Sequence, residues 1–462
     1  MNQMHREAER VSKEERQAWI EKDRQYVWHH MLPYAASQNP LIITKGDGAW
    51  VIDLEGNRYL DAMSGLWCVN LGYSNRELAQ AAYEQLLQIP YYPMTQSHLP
   101  AIQLSEKLNE WLEGDYRIFF SNSGSEANET AFKIVRQYHA QNGEPTRWKF
   151  ISRYRAYHGN SLGALAATGQ AVRKQHYEPL APGFVHVPPP YCYRCPFGKS
   201  RDTCEIECAS IFEQVIQWEG PDTVAGVIME PAITGGGVIV PPPEYMQQVR
   251  EICDRYGVLL IADEVICGFG RSGKSFGHQN FAVKPDVVTM AKGITSAYLP
   301  LSATAVRADL FNAFKDEHAY AHFRHVNTFG GNATACALSL RTLELMEEME
   351  LVARCEELGQ RMQERMMSLV DHPLVGDLRF FGLIAGVELV SDKETKTPAS
   401  PEIVGRILAA CKSRGVLIGK NSDTVPGQNN VLTLAPPLII TDEELDLIVR
   451  VLQEALQEVH FI

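Results

Sequence analysis

Gly257-Val-Leu-Leu-Ile-Ala-Asp263-Glu-Val runs apolar and closes on a carboxylate, and Asp286-Val-Val-Thr-Met-Ala-Lys292-Gly-Ile-Thr runs apolar and closes on an amine 29 residues after Asp263. Neither run shows the 3.6-residue apolar period of a surface helix, and both are short enough to be strands buried on two faces. Similar runs occur at 117–121, 148–153, 224–230 and 302–306, with the apolar periodicity of helices over 125–141 and 244–256. Strands alternating with helices predict an α/β fold with a large, mostly parallel sheet covered on both faces. Such sheets bind ligands beyond the carboxyl ends of their strands. Asp263 lies at one such end and Lys292 just beyond another.

Outward from this centre the pattern changes. Residues 5–30 read as a helical arm that ends before Leu32-Pro33, and Gly48 to Asp61 alternates around Gly56-Asn57 as a hairpin does. From about residue 331 come long helices over 333–348 and 352–370, a strand over 382–389 and a last helix from 442. The expected division is an arm and hairpin (1–65) packing with a smaller α+β C-terminal part (331–462), around a ligand-binding part (66–330). The chain has 462 residues, 45% of them hydrophobic, and a net charge of -13. That is enough to bury a large core, and its acidic field disfavours nucleic acid and anionic membranes, so small molecules are the expected partners. With no apolar leader or membrane-length run, a cytoplasmic location is expected. Ten cysteines in such a chain suggest free thiols rather than a disulfide framework. Cys192, Cys195, Cys204 and Cys208 are close enough in sequence to hold zinc or simply to line a Pro-rich loop. The latter reading is preferred, and no metal is expected.

A carboxylate and a lysine at neighbouring strand ends suit pyridoxal 5'-phosphate. The lysine can hold the aldehyde as a Schiff base, and the carboxylate can keep the pyridine nitrogen protonated. A lone lysine there is also an ordinary surface residue, so the case rests on its surroundings. Ser121-Asn-Ser123-Gly124-Ser125-Glu126 follows one strand and opens a good helix, so Ser123, Gly124 and Ser125 could cradle a phosphate or merely cap that helix. Tyr157, in Tyr157-His158-Gly159, could lie on a pyridine ring and border the substrate. Glu230, at a strand end, could support the site or cap a loop. Thr328, in Asn327-Thr328-Phe-Gly-Gly-Asn332, offers a hydroxyl or starts a helix. Trp67 could wall a substrate pocket or be core, and Tyr91 or Tyr92 could form another wall. The run Gly268-Phe-Gly270-Arg-Ser-Gly273-Lys274-Ser275 matches two nucleotide-binding patterns, which would make the protein a P-loop hydrolase. Both patterns require a helix at the glycines. The next residues, Phe276 to Pro285, lack helical periodicity, so a glycine-rich loop is expected.

In combination, Asn122-Ser-Gly-Ser-Glu-Ala, Tyr157-His-Gly, Ile228-Met-Glu-Pro231, Asp263-Glu-Val-Ile-Cys-Gly-Phe-Gly-Arg271, Ala291-Lys-Gly293 and Thr328-Phe-Gly-Gly-Asn332 resemble the class III aminotransferases of fold type I. The resemblance runs from about Leu41 to the C-terminus. It implies a homodimer in which Lys292 holds pyridoxal phosphate and Asp263 meets the pyridine nitrogen. Tyr157 and Val265 would flank the ring, Gly124 and Ser125 would cradle the phosphate, and Thr328 would reach the phosphate bound by the other subunit. Gly65-Leu-Trp67-Cys-Val-Asn-Leu-Gly-Tyr73 resembles the omega-aminotransferases, which move an amino group from amines or omega-amino acids, taurine among them, to pyruvate. Lyase, decarboxylase or aminomutase chemistry on the same cofactor is the alternative. Many such enzymes carry an arginine for the acceptor carboxylate shortly before the Pro-Pro pair. The corresponding stretch here, 422–430, has none.

Overall fold

The computed structural model describes residues 12–317, 320–421 and 424–460. Of the helical arm expected over 5–30, residues 5–11 lie outside the described residues; a helix runs Lys13–Tyr26, opened by a reciprocal Ser12–Glu15 capping box. Strands β1 (Ile43–Asp47), β2 (Trp50–Asp53) and β3 (Arg58–Asp61) form an antiparallel meander. Asp53 sets the expected turn, because Oδ1 accepts from Glu55 N at 2.9 Å and Asn57 N at 2.8 Å.

The central sheet has seven strands: β4 (Tyr116–Ser121), β5 (Lys149–Arg153), β6 (Phe184–Val187), β7 (Val224–Met229), β8 (Leu259–Asp263), β9 (Val287–Met290) and β10 (Ser302–Arg307), in the order β4-β10-β9-β8-β7-β5-β6. Strand β10 runs antiparallel to both neighbours, and every other pairing is parallel. Every residue of β7, β8 and β9 is buried. This is why their sequences are apolar except at Asp263 and Thr289, which hydrogen-bond inside the protein. The helix Gly124–Gln141 follows β4 and buries Ala127, Ala131, Ile134 and Val135, one stripe at helical spacing. The helix Tyr245–Tyr256 leads into β8 in the same way.

Beyond the sheet, the helices Ala333–Glu348 and Leu351–Met366 follow each other, the second giving way to a 3-10 turn over Met367–Asp371. The helix expected over 352–370 therefore ends short. Strands β11 (Val375–Phe380), β12 (Ala385–Asp392), β13 (Thr397–Pro398), β14 (Val416–Leu417), β15 (Gly419–Lys420) and β16 (Val431–Leu434) complete the fold. The strand expected over 382–389 is displaced to β12, because Gly382, at φ +56°, turns the chain against the backbone of Arg271 and Ser272. The final helix is Asp442–His460. A sheet ordered β11-β12-β16-β15 forms in this part, while β14 crosses to pair in parallel with β3. One apolar cluster joins Leu60 and Leu104 to Val288 and Ala303 of the central sheet and to Leu432 and Leu452.

A candidate active site at the carboxyl ends of the sheet

Asp263 ends β8 and is 3% exposed. Its Oδ2 accepts from His158 Nδ1 at 2.8 Å and Asn128 Nδ2 at 2.9 Å, and its Oδ1 from Val265 N at 3.1 Å. A buried carboxylate needs such donors. Asn128 also donates to His158 O at 2.6 Å and accepts from Thr289 Oγ1 at 2.7 Å. Asp263 is thus held by the helix after β4, the loop after β5 and, through Thr289, by β9. The roles of Asn128, His158 and Thr289 escape a sequence reading. The available signal is an asparagine on the buried stripe of an amphipathic helix.

Lys292 begins a 3-10 turn just past β9 with φ +50°, a left-handed conformation that costs a non-glycine residue about 1 kcal/mol. Its Nζ donates to Leu66 O at 3.2 Å. Burial pushes its pKa below the usual lysine range, and Cys68 and Asp263 pull it partly back. The next residue, Trp67, also has a positive φ, of 63°. Its ring packs with Met63, Val238, Ile384 and Ala435, so it is core while also lying next to the carbonyl that Lys292 meets.

Gly124 brings the strand ends together. A Cβ there would stand 3.1 Å from both Val265 methyls and 3.7 Å from Ala291 Cβ, so the backbone reaches this close only because the residue is glycine. Ser123 caps the helix, its Oγ accepting from Glu126 N at 3.2 Å. Ser125 Oγ donates to Asn160 Oδ1 at 2.9 Å and accepts from Asn160 N at 3.0 Å. The expected cap is therefore real, and it leaves the first N–H groups of an eighteen-residue helix beside Val265 and Ala291, as anion binding requires.

Glu230 follows β7 and is 4% exposed. Its Oε1 accepts from Tyr157 N at 3.1 Å, and its Oε2 from Thr234 N and Oγ1, both at 3.3 Å. It braces Tyr157 against the glycine run 235–237. Burial raises its pKa, and His158 opposes the rise. The half-buried Tyr157 ring carries the Arg173 guanidinium 4.8 Å from its centroid. Two residues earlier, Arg155 is buried, its Nη1 donating to Gly236 O at 3.4 Å and its Nη2 to Gln428 Oε1. Gln428 belongs to the stretch 422–430 that lacks arginine, of which Ser422 and Asp423 lie outside the described residues.

Thr328 is exposed beside β4, where Asn327 Nδ2 donates to Ser121 Oγ at 2.7 Å, while Asn332 caps the following helix. Tyr91 lines a cavity of about 610 Å³ with Leu86, Asn122, Pro300, Phe329 and Asn332; Tyr92 does not. The glycine run at 268–275 opens no α-helix; a short 3-10 turn, Gly277–Phe281, follows it. Its Arg271 is fully buried and donates to Pro436 O, to Ser64 Oγ at 3.1 Å and to Asn70 Oδ1 at 2.8 Å, while Lys274 pairs with Glu356 at 3.2 Å. Those partners make it a structural tie. Among the described residues no group of three or more His, Cys, Asp or Glu side chains is arranged to hold a metal ion, Cys192, Cys195, Cys204 and Cys208 included.

The sequence model described as "Aminotransferase class-III" matches residues 33–456. The taurine--pyruvate aminotransferase of Bilophila wadsworthia is 43% identical, over 94% of this chain and 95% of that one. A Bacillus anthracis aminotransferase crystal structure superposes with a TM-score of 0.94 at 54% identity, covering 97% of this chain and all of its own. The omega transaminase from Pseudomonas jessenii, solved in complex with PMP, gives 0.89 at 36% identity, covering 96% and 98%.

Proposed function

Since the chain belongs to the class III aminotransferases, we propose that it moves an amino group from an amine or omega-amino acid to a 2-oxo acid, pyruvate first, with Lys292 and Asp263 as its central residues. The cofactor of this family is pyridoxal 5'-phosphate, and the residues present suit it. A helix N-terminus stands where a phosphate needs donors, with a glycine that no side chain can replace without displacing Val265. Bound there, the cofactor supplies an electron-withdrawing ring that delocalises the pair left when the donor carbon loses its proton.

The chain's own groups do the rest. With the cofactor bound, Lys292 Nζ would anchor its aldehyde in the resting enzyme and, once displaced by the donor, would take the proton from the donor carbon and deliver it to the former aldehyde carbon two atoms away. A depressed pKa suits a base that must be neutral to act. Asp263, fixed by His158 and Asn128, would hold positive charge at the pyridine nitrogen, and this preorganised electrostatic term would supply most of the rate. Tyr157 and Val265 would flank the ring, and Trp67 and Tyr157 would border the substrate. Donor and acceptor use one pocket in turn, the donor leaving as an aldehyde or ketone and pyruvate leaving as alanine.

The observation that carries this reading is the meeting of Asp263, Lys292 and Gly124 at the ends of β8, β9 and β4. Residues 66–330 form the cofactor-binding part, with 1–65 and 331–462 as the smaller unit, a division supported by the pairing of β3 with β14. A homodimer is supported by exposed Tyr91, Met94 and Phe329 gathered along the segment that follows Thr328, the Tyr91 and Phe329 rings 5.9 Å apart. The enzyme works in the cytoplasm; among the described residues no helix is long and apolar enough to cross a membrane. An absorbance scan tests the proposal. The yellow band of the holoenzyme disappears on adding amine and returns with pyruvate but not with 2-oxoglutarate. A chain that shows no such band, or turns over amine without any oxo acid, contradicts it.

A further inference from the structure

Among the described residues, Arg155 is a buried guanidinium with no acid bonded to it. It is 6% exposed, and its side-chain partners among the described residues are neutral: Gly236 O, Gln428 Oε1 and the Tyr191 ring, whose centroid lies 5.0 Å away. The nearest candidate for a counter-charge, Glu388, is already taken by Tyr191, Arg194 and Arg379. Arg379 lies against the same Tyr191 ring, also at 5.0 Å, so two guanidinium groups share one aromatic. Among the described residues, Arg155, Arg194 and Arg379 thus face Glu388 and Asp377 alone, an excess of positive charge out of water that favours an incoming anion.

Position singles out Arg155 from the other buried arginines that lack an acid. Arg271 is spent on three neutral acceptors, and Arg153 is bonded to Glu230 O beneath the site. Arg155 stands two residues from Tyr157, and one glycine run covers both. A Cβ on Gly235 would lie 3.9 Å from Tyr157 Cβ, and one on Gly236 would lie 3.0 Å from Arg155 Cβ. Its partner Gln428 sits in the loop between β15 and β16, beside exposed Pro426 and Gly427, where an amide can give way.

We infer that Arg155 is the specificity residue for the 2-oxo acid acceptor, binding its carboxylate as Gln428 withdraws. This rests on the aminotransferase reading above. A guanidinium offers two parallel N–H groups to a carboxylate, and trading a neutral amide for that anion gives the charge its missing partner. Because both substrates occupy the pocket in turn, the same group meets the acid end of an omega-amino acid donor.

The test compares holoenzymes of the wild type, Arg155→Gln, Arg155→Lys and Gln428→Glu, with benzylamine as the neutral donor and either pyruvate or hexanal as acceptor. Arg155→Gln raises the KM for pyruvate roughly 100-fold while kcat changes little, and kinetics with hexanal stay within about threefold. Arg155→Lys falls between. Gln428→Glu keeps the guanidinium but gives it a carboxylate of its own, and raises the pyruvate KM about tenfold while sparing hexanal. If Arg155→Gln does not fold, Gln428→Glu carries the test alone. Equal losses with pyruvate and hexanal, or an unchanged pyruvate KM in the folded variants, overturn the assignment while leaving the aminotransferase reading intact. A wild type that transfers no amino group to either acceptor overturns both.

Discussion

Burial disfavours the charge on Lys292, so its amine becomes free at a lower pH than that of a surface lysine. Only the neutral amine adds to an aldehyde. Reconstitution of the apoprotein with pyridoxal phosphate should therefore accelerate as pH rises through a midpoint below the usual lysine range, followed by absorbance; a midpoint in the ordinary range contradicts the dry environment. Lys292→Ala should abolish turnover, and normal turnover in that variant would remove Lys292 from the mechanism. Asp263→Asn should still bind cofactor but lose several orders of magnitude in kcat, since an amide holds no charge opposite the pyridine nitrogen. The placement of Lys292 and Asp263 at neighbouring strand ends was legible in the sequence because a charge closing an apolar strand is a local signal. Arg155 was not, since its meaning depends on Gln428, Gly236 and Tyr191, distant in the chain and brought together only by folding.

The element that does most for the site is the helix Gly124–Gln141, which presents its N-terminus to one face and Asn128 to Asp263. Asn128→Ala would leave the carboxylate with one donor fewer and Thr289 without its acceptor. The expected cost is about 1–3 kcal/mol in denaturant unfolding, with weakened cofactor retention; an unchanged midpoint would show that water replaces the amide. Periodicity revealed this helix, and short apolar runs revealed strands β7, β8 and β9, whose burial on both faces leaves Asp263 and Thr289 as their polar exceptions. Neither signal revealed β6, three half-buried residues and the buried Val187 at a sheet edge, nor the displacement of β12, which is set by how Gly382 turns against Arg271. The glycine run at 268–275 shows the reverse case. Its motif suggested nucleotide binding, and the missing helical period after it correctly predicted a loop.

At the scale of the whole molecule, the exposed Thr328 and the apolar residues around it give the proposed dimer a measurable signature. In hybrids of a Lys292→Ala chain with a Thr328→Ala chain, one site carries both defects and the other neither, provided Thr328 serves the opposite subunit. Such hybrids should bind one cofactor with wild-type affinity, read by fluorescence titration. Binding no tighter than in the Thr328→Ala homodimer would place the threonine in its own subunit's site. The pairing of Val416 with Leu60 adds a constraint of another kind. Ribosomes add about 5–20 residues per second, so the edge of β3 waits tens of seconds for the strand that covers it. During that interval the nascent hairpin offers an open edge to any neighbouring chain. Crowded expression should accordingly cost yield before it costs activity, and a lower expression level, which leaves fewer neighbouring nascent chains, should recover it.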